Sequence, residues 1–314
     1  MAALTGLLRG PRAQGAFLLR SVMSPPWSIR IQDEAPLTVV AMVRGQAWIV
    51  ADDPGAAPQA LCPGDVAVLR GPDPYIVADA PATQPQIVIH PGQRCTTLDG
   101  ESLAEAMDLG VRTWGNSPLG AAMMLTGTYQ GAGEISRRLL GALPFLIVLR
   151  ADEWDCPVIS LLADEIVKDE PGQEVVLDRL LDLLVISVLR AWFAREGVKA
   201  PTWYRAHTDP IIGRALRMLH NDPAHPWTVA GLAAEVGVAR ATLARRFTEL
   251  VGEPPLSYLT GWRLALAADL LLEPGITVSG VARQVGYGSP FTFSTAFKRS
   301  YGVSPQAHRA AASA

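Results

Sequence analysis

The sequence predicts an α+β multidomain chain: a β-sandwich or barrel with following helices, then an all-α domain with two helix-turn-helix motifs joined by a long helix. Three observations carry this. Before residue 100, short Val- and Ile-rich runs alternate with Gly/Pro turns. Beyond it, apolar positions fall at helical spacing. After Thr228 the chain repeats itself at a nearly fixed offset.

The 314 residues, 49% hydrophobic and 18% charged, supply material for two cores and show no bias towards disorder. The net charge of -3 is unevenly placed: from Thr208 on there are ten Lys and Arg against seven Asp and Glu, and before it 17 against 23. An acidic front with a mildly basic back is compatible with DNA contact by the back alone. The three cysteines, Cys62, Cys95 and Cys156, form no CxxC pair and no disulfide framework, which points to a reducing compartment. Arg9, Arg12 and Arg20 interrupt any apolar leader. The most apolar stretch, Leu180 to Phe193, contains Asp182 and Arg190 and is too short to span a bilayer. A cytoplasmic location and no membrane partner are expected.

Within the front domain, expected over 1–200, Thr38 to Val50 reads as strand with Gly45 as a turn or bulge. Pro63-Gly64-Asp65 turns sharply into Val66 to Leu69. Pro72, Pro74 and Pro81 punctuate the next stretch, and Gln86 to His90 is a further strand. Such strands over about 15–100 argue a sandwich or barrel. Residues 101–196 are expected to be helical, most clearly from Val175 to Arg195. There Leu177, Leu180, Leu181, Leu184, Val188 and Trp192 form one stripe. The stripe suits a helix buried on the β domain or a subunit-pairing helix. Residues 197–208 are the expected linker, with 209–310 as the helical domain.

In the repeat, Thr228 to Gly237 matches Thr277 to Gly286, and Phe247, Gly252 and Pro255 then match Phe297, Gly302 and Pro305. Each copy reads as a helix-turn-helix, at about 228–251 and 277–301. Thr228 and Thr277 suit the N-cap of a first helix. Leu232, Ala233 and Val236, like Val281, Ala282 and Val285, form its apolar face. Gly237 and Gly286 supply the left-handed residue that ends it. The second helices carry inward anchors at i and i+4: Leu243 with Phe247, and Phe293 with Phe297. Leu256 to Leu272 reads as a rigid connector, able to set the two second helices about one DNA turn, roughly 34 Å, apart.

The residues LAAEVGVARATLARRFTELVGEPPLSYLTGWRLALAADLL and VARQVGYGSPFTFSTAFKRSYGVSPQAHR resemble the AraC/XylS family of bacterial regulators. The front of the chain is similar to the cupin-like sensory domain of one AraC subgroup. The matching residues are LLRGPRAQGAFLLRSVMSPPWSIRI, RGQAWIV and PGDVAVLRGPDPYIVAD. The resemblance implies a sequence-specific DNA-binding transcription regulator, not an enzyme, that responds to a small molecule or stress signal. It implies double-stranded DNA and RNA polymerase as partners, a small-molecule effector, a homodimer and no cofactor. Two alternatives stand beside it: a cupin-type metalloenzyme fused to a DNA-binding domain, and a weak-binding co-regulator.

In that family the outer face of each second helix reads base edges. By position this implies Arg240, Ala241, Thr242, Ala244 and Arg245 in the first motif, and Ser289, Pro290, Phe291, Thr292, Ser294 and Thr295 in the second. Arg245, between the anchors, can bind guanine O6 and N7 with both arms. Arg246, Lys298 and Arg299 are the implied phosphate contacts. The sequence departs from the family at Thr295, where Arg is common, and at Ala239, where Ser is common and could cap the helix. The first motif is therefore expected to carry most of the discrimination.

Catalytic cupins hold metal with two or three histidines, but His90 alone of five precedes residue 200, and Tyr75 stands where related domains tend to have His. No metal site is expected. Trp27, Trp48, Tyr75 and His90 are the candidate ligand contacts, although an aromatic core and a hydrogen-bonded strand-end histidine are the commoner explanations. Cys62 and Cys95 are expected to be buried and structural, since redox sensing needs an exposed, activated thiolate.

Overall fold

Side-chain alternation in short runs builds the front of the chain. A computed structural model describes residues 17–53, 55–129, 140–141, 143–195, 206–273 and 275–312. Most of the expected linker at 197–208, and the start of the front-domain resemblance, lie outside the described residues. The described residues divide into two units, 17–129 with 143–195, and 140–141 with 206–312.

The first unit contains β1 (Phe17–Met23), β2 (Ser28–Ile31), β3 (Leu37–Arg44), β4 (Ala47–Ala51), β5 (Gln59–Leu61) and β6 (Val66–Arg70). It continues with β7 (Tyr75–Ala78), β8 (Ile87–His90), β9 (Arg94–Thr97), β10 (Thr113–Trp114), β11 (Ala122–Tyr129) and β12 (Leu146–Leu149). They form two six-stranded sheets, ordered β10-β1-β11-β3-β6-β12 and β5-β4-β7-β2-β8-β9. Met42, Leu69 and Met124 of the first sheet share a core with Ile29, Ile49 and Val77 of the second.

The helical expectation for 101–196 holds only in part. β10, β11 and β12 fall inside it, and among the described residues its helices of eight or more residues begin at Val158. Gly100, Gly110 and Gly115 take positive φ values, which no α-helix accommodates. Ala122 to Leu125 are good helix formers, yet β11 is paired along its length between β1 and β3. Ladder pairing there outweighs propensity.

Two helices follow, α1 (Val158–Glu165) and α2 (Gln173–Ala194). α2 lies on the outer face of the first sheet. Leu181 occupies the space where Gly127 of β11 has no side chain, and a Cβ there would overlap its methyl group. The Tyr129 hydroxyl donates to Asp182 Oδ1 at 3.1 Å. Covered on both faces, β3 is buried from Leu37 to Met42 rather than alternating. α2 buries Leu177, Leu181, Leu184, Val188 and Phe193, while Leu180 and Trp192 are half-buried. Val175, Val176 and Leu183 remain exposed on its far side.

The second unit is helical: α3 (Ile212–Asn221), α4 (Val229–Glu235), α5 (Arg240–Val251), α6 (Pro255–Leu270), α7 (Val278–Gln284), α8 (Pro290–Tyr301) and α9 (Pro305–Ala312). Tyr258 and Leu259 of α6 complete a core with Leu219, Leu232, Leu243 and Phe247. Leu264, Ala267 and Ala268, further along the same helix, complete another with Val281, Val285, Phe293 and Phe297. The loop after α3 is gripped from two sides. Arg263 of α6 donates to the Pro223 and His225 carbonyls at 2.6 and 2.8 Å, and Gly286 comes so close to Ala224 that a side chain would overlap its backbone. Among the described residues, no helix is long and apolar enough to cross a membrane.

Candidate DNA-reading helices and a cavity in the β-sandwich

Each motif starts on the predicted cap. Thr228 Oγ1 accepts from Gly231 N, and Thr277 Oγ1 from Gly280 N, both at 3.0 Å. Gly237 and Gly286 sit at φ 75° and 83°, turning the chain into α5 and towards α8. Ser289 caps α8, accepting from Thr292 N at 3.2 Å, whereas Ala239 makes no side-chain cap on α5. That difference is worth about 1 kcal/mol of local helix stability.

The anchors Leu243, Phe247, Phe293 and Phe297 are fully buried, which turns the remaining positions outward. Arg240, Ala241 and Arg245 are exposed on α5, with Thr242 and Ala244 half-buried. On α8, Pro290, Phe291, Thr292, Thr295, Lys298 and Arg299 are exposed, and Ser289 and Ser294 are half-buried. Phe291, at 81% exposure, is a large apolar side chain left in water. Arg245 Nη1 donates to both carboxylate oxygens of Glu249, at 2.8 and 3.1 Å.

Arg246 has a different environment from its neighbour. Its Nε and Nη2 both reach Asp209 Oδ2, at 3.1 and 2.5 Å. Asp209 Oδ1 meanwhile accepts from Ile211 N and Ile212 N at 3.0 and 2.9 Å. Burial raises the Asp209 carboxyl, but these donors outweigh it and hold the group below the ordinary carboxylate range. Arg246 thus fastens α5 to the entrance of α3, a structural task beside the phosphate contact expected of it. The anchoring aspartate is readable from the sequence as a residue placed to cap α3; its partner, 37 positions away, is not.

In the first unit a cavity of about 290 Å3 lies between the sheets. β1 lines it with Phe17, Leu19 and Ser21, β11 with Met124, Thr126 and Thr128, and the β2 segment with Ile29, Ile31 and Asp33. Each set is spaced by two because alternate strand residues face one way. The walls are mainly apolar, with Asp33 among the polar exceptions. Its Oδ2 accepts from Gln93 Nε2 at 2.7 Å and its Oδ1 from Ala35 N at 3.2 Å.

Of the four residues expected to contact a ligand, Tyr75 lines this cavity; Trp27, Trp48 and His90 do not. Trp27 is buried in the core. Trp48 is half-buried between the inward-facing Ala47 and Ile49. His90 lies within hydrogen-bonding distance of Gln32 Nε2 (3.3 Å) and Thr96 Oγ1 (3.0 Å). Burial, then the Asp33 charge, keep the Tyr75 hydroxyl protonated far above its usual range. Cys95 also lines the wall, and burial pushes its thiol up to about 11. Cys62, against expectation, is exposed, because it enters the Pro63-Gly64 turn. The wall offers Asp33 and Cys95 but no histidine, so it does not supply the ligand set by which cupins hold a metal.

Comparison with known proteins matches these two parts separately. A cupin family model matches residues 2–194, and a helix-turn-helix domain model matches 232–311. An AraC-like transcription regulator of Streptomyces lividans is 29% identical over 290 residues, 90% of each chain. Another, of Streptomyces antibioticus, is 35% identical over 193 residues, 59% of this chain and 63% of that one. The helix-turn-helix-type transcriptional regulator AlkR of Acinetobacter baylyi is 34% identical over 177 residues, 54% and 58% of the two chains. This chain belongs to the cupin-bearing AraC family of DNA-binding transcription regulators.

The regulator's DNA-binding unit also holds two packed imidazoles, His220 buried and His207 half-buried with its ring nitrogens shielded. The His220 ring packs on Trp262, centroids 4.2 Å apart, and on His207 at 5.6 Å. His220 Nε2 lies 2.7 Å from the Tyr258 hydroxyl. Neither ring nitrogen of His207 has a hydrogen-bond partner among the described residues. Burial lowers His220 to about 4, and burial followed by the neighbouring His220 lowers His207 to about 3. Both are neutral in the fold and charge more readily when unfolded. Their contribution is therefore complete above 6.5, their ordinary value, and is lost as pH falls from there to about 4 for His220 and about 3 for His207. The unfolding midpoint of the full chain, followed by circular dichroism, is expected to drop across that window. His207→Phe is expected to flatten the drop, and an unchanged profile in that variant would remove His207 as its source.

Proposed function

We propose that this regulator is a cytoplasmic homodimer without enzymatic activity. In this reading, α5 and α8 recognise its operator, and a small, mainly apolar molecule in the sandwich cavity sets its affinity. The observation that carries DNA reading is the equivalent presentation of both helices, each pinned by two buried anchors with its outer residues in water. Arg240 and Arg245 give α5 donors for guanine edges, with Ala241, Thr242 and Ala244 beside them. On α8, Phe291 and Thr295 suit thymine methyl groups, flanked by Ser289, Pro290, Thr292 and Ser294. Lys298 and Arg299 meet phosphates, and Arg246 adds its charge nearby. RNA polymerase is the partner at the promoter. The effector reading is supported by the cavity, the dimer by the exposed apolar side of α2.

Genomic DNA captured by the full-length chain is expected to give a few sharp peaks upstream of genes, lost in Arg245→Ala. Diffuse enrichment by the wild type would overturn operator reading. For the cavity, fitting members of a panel of small aliphatic and aromatic alcohols and acids are expected to raise the unfolding temperature by a few degrees, about 1 kcal/mol of binding linkage. Thr126→Phe should fill the space and abolish the rise; stabilisation that survives would place the ligand elsewhere. In sedimentation, Leu183→Glu is expected to convert dimer to monomer, and an unaltered dimer would exclude this side of α2 as the interface.

A further inference from the structure

The Arg245–Glu249 pair is not explained by the stability of α5. Both side chains are well exposed, at 68% and 55%, and such exposed i,i+4 pairs add little to helix stability. The order also opposes the helix dipole. The acid stands in the last turn of α5, where the negative end of the dipole disfavours it, and the base stands before it. A carboxylate here moreover lies one turn from an arginine aimed at DNA and repels phosphates. The geometry does serve one purpose. Both carboxylate oxygens engage a single nitrogen, Nη1, which fixes the guanidinium while leaving the Nη2 and Nε donors to a base edge.

We propose that Glu249 is a specificity-determining positioning residue: it holds Arg245 in the orientation that reads one base and penalises DNA that lacks that base. This rests on Arg245 reading a base edge. On matching DNA the guanidinium stays between the carboxylate and the base, so the negative charge remains compensated. On mismatched DNA, an Arg245 that swings towards phosphate abandons Glu249, whose charge is then left facing the backbone. The carboxylate thereby lowers affinity for wrong sequences more than for the right one.

The test is selection of a randomised duplex DNA pool by the full-length protein, with the recovered sequences counted. Wild type, Glu249→Gln, Arg245→Ala and the double variant are compared. Glu249→Gln is expected to weaken the preference at one base position about threefold or more, and to bind unselected duplex more tightly with a steeper salt dependence. Arg245→Ala should erase the preference at that same position, and adding Glu249→Gln to it should change the preference no further. If Arg245→Ala leaves every preference intact, the base-reading role of Arg245 fails and this inference with it. If Arg245→Ala erases a preference that Glu249→Gln leaves at full strength, the base-reading role stands and the positioning role is overturned. A merely structural Glu249 would lower affinity for all sequences equally, which also overturns it.

Discussion

The burial of α6 around much of its circumference is the constraint on which the DNA-binding unit depends. Tyr258 and Leu259 belong to one core, Leu264 and Ala267 to the next, and Trp262 fills the middle at 1% exposure. Neither motif has enough apolar material of its own for a core, since each is two short helices and a turn. Sharing one helix solves this for both and makes their spacing a property of a rigid rod rather than of a linker. Arg263 and Gly286 add a second tie through the loop at 223–225. The second helices of the two motifs, α5 and α8, are in this way held by packing, with Ala-rich stretches of α6 permitting the close crossings.

Much of this is legible in the sequence because it is local. Thr228, Thr277, Gly237 and Gly286 act within one turn of chain, so their roles follow from spacing alone. The anchors at i and i+4 are equally local. The features that escape a sequence reading are set by distant partners. β11 is a strand because β1 and β3 flank it, although Ala122 to Leu125 favour helix. Arg246 is occupied by Asp209 because α3 packs beside α5. The cavity wall lies between these cases: Leu19 and Ser21, or Thr126 and Thr128, carry a period-two spacing that any strand would show. Aromatic residues are the more conspicuous signal, and of Trp27, Trp48 and Tyr75 only the tyrosine lines the space. Glu249, four residues from Arg245, is visible as spacing, but the pairing geometry gives it meaning.

The front unit keeps an open, mainly apolar interior between its two sheets. Leu19, Ile31, Val40 and Met124 face that interior, and Tyr75 is held protonated there. An apolar chamber with Asp33 among its polar residues can discriminate molecules by shape and by one or two hydrogen bonds. Cys95 shares that wall as a protonated thiol of low nucleophilicity.

Asp209 caps α3 and clasps Arg246 of α5 with one carboxylate, at the first residues of the helical unit. As a module for domain shuffling, the DNA-binding part therefore begins ahead of α3 itself. A recombination junction placed at the visible start of that helix would transplant every outward-facing residue of α5 and α8 intact and still leave α5 without its fastening.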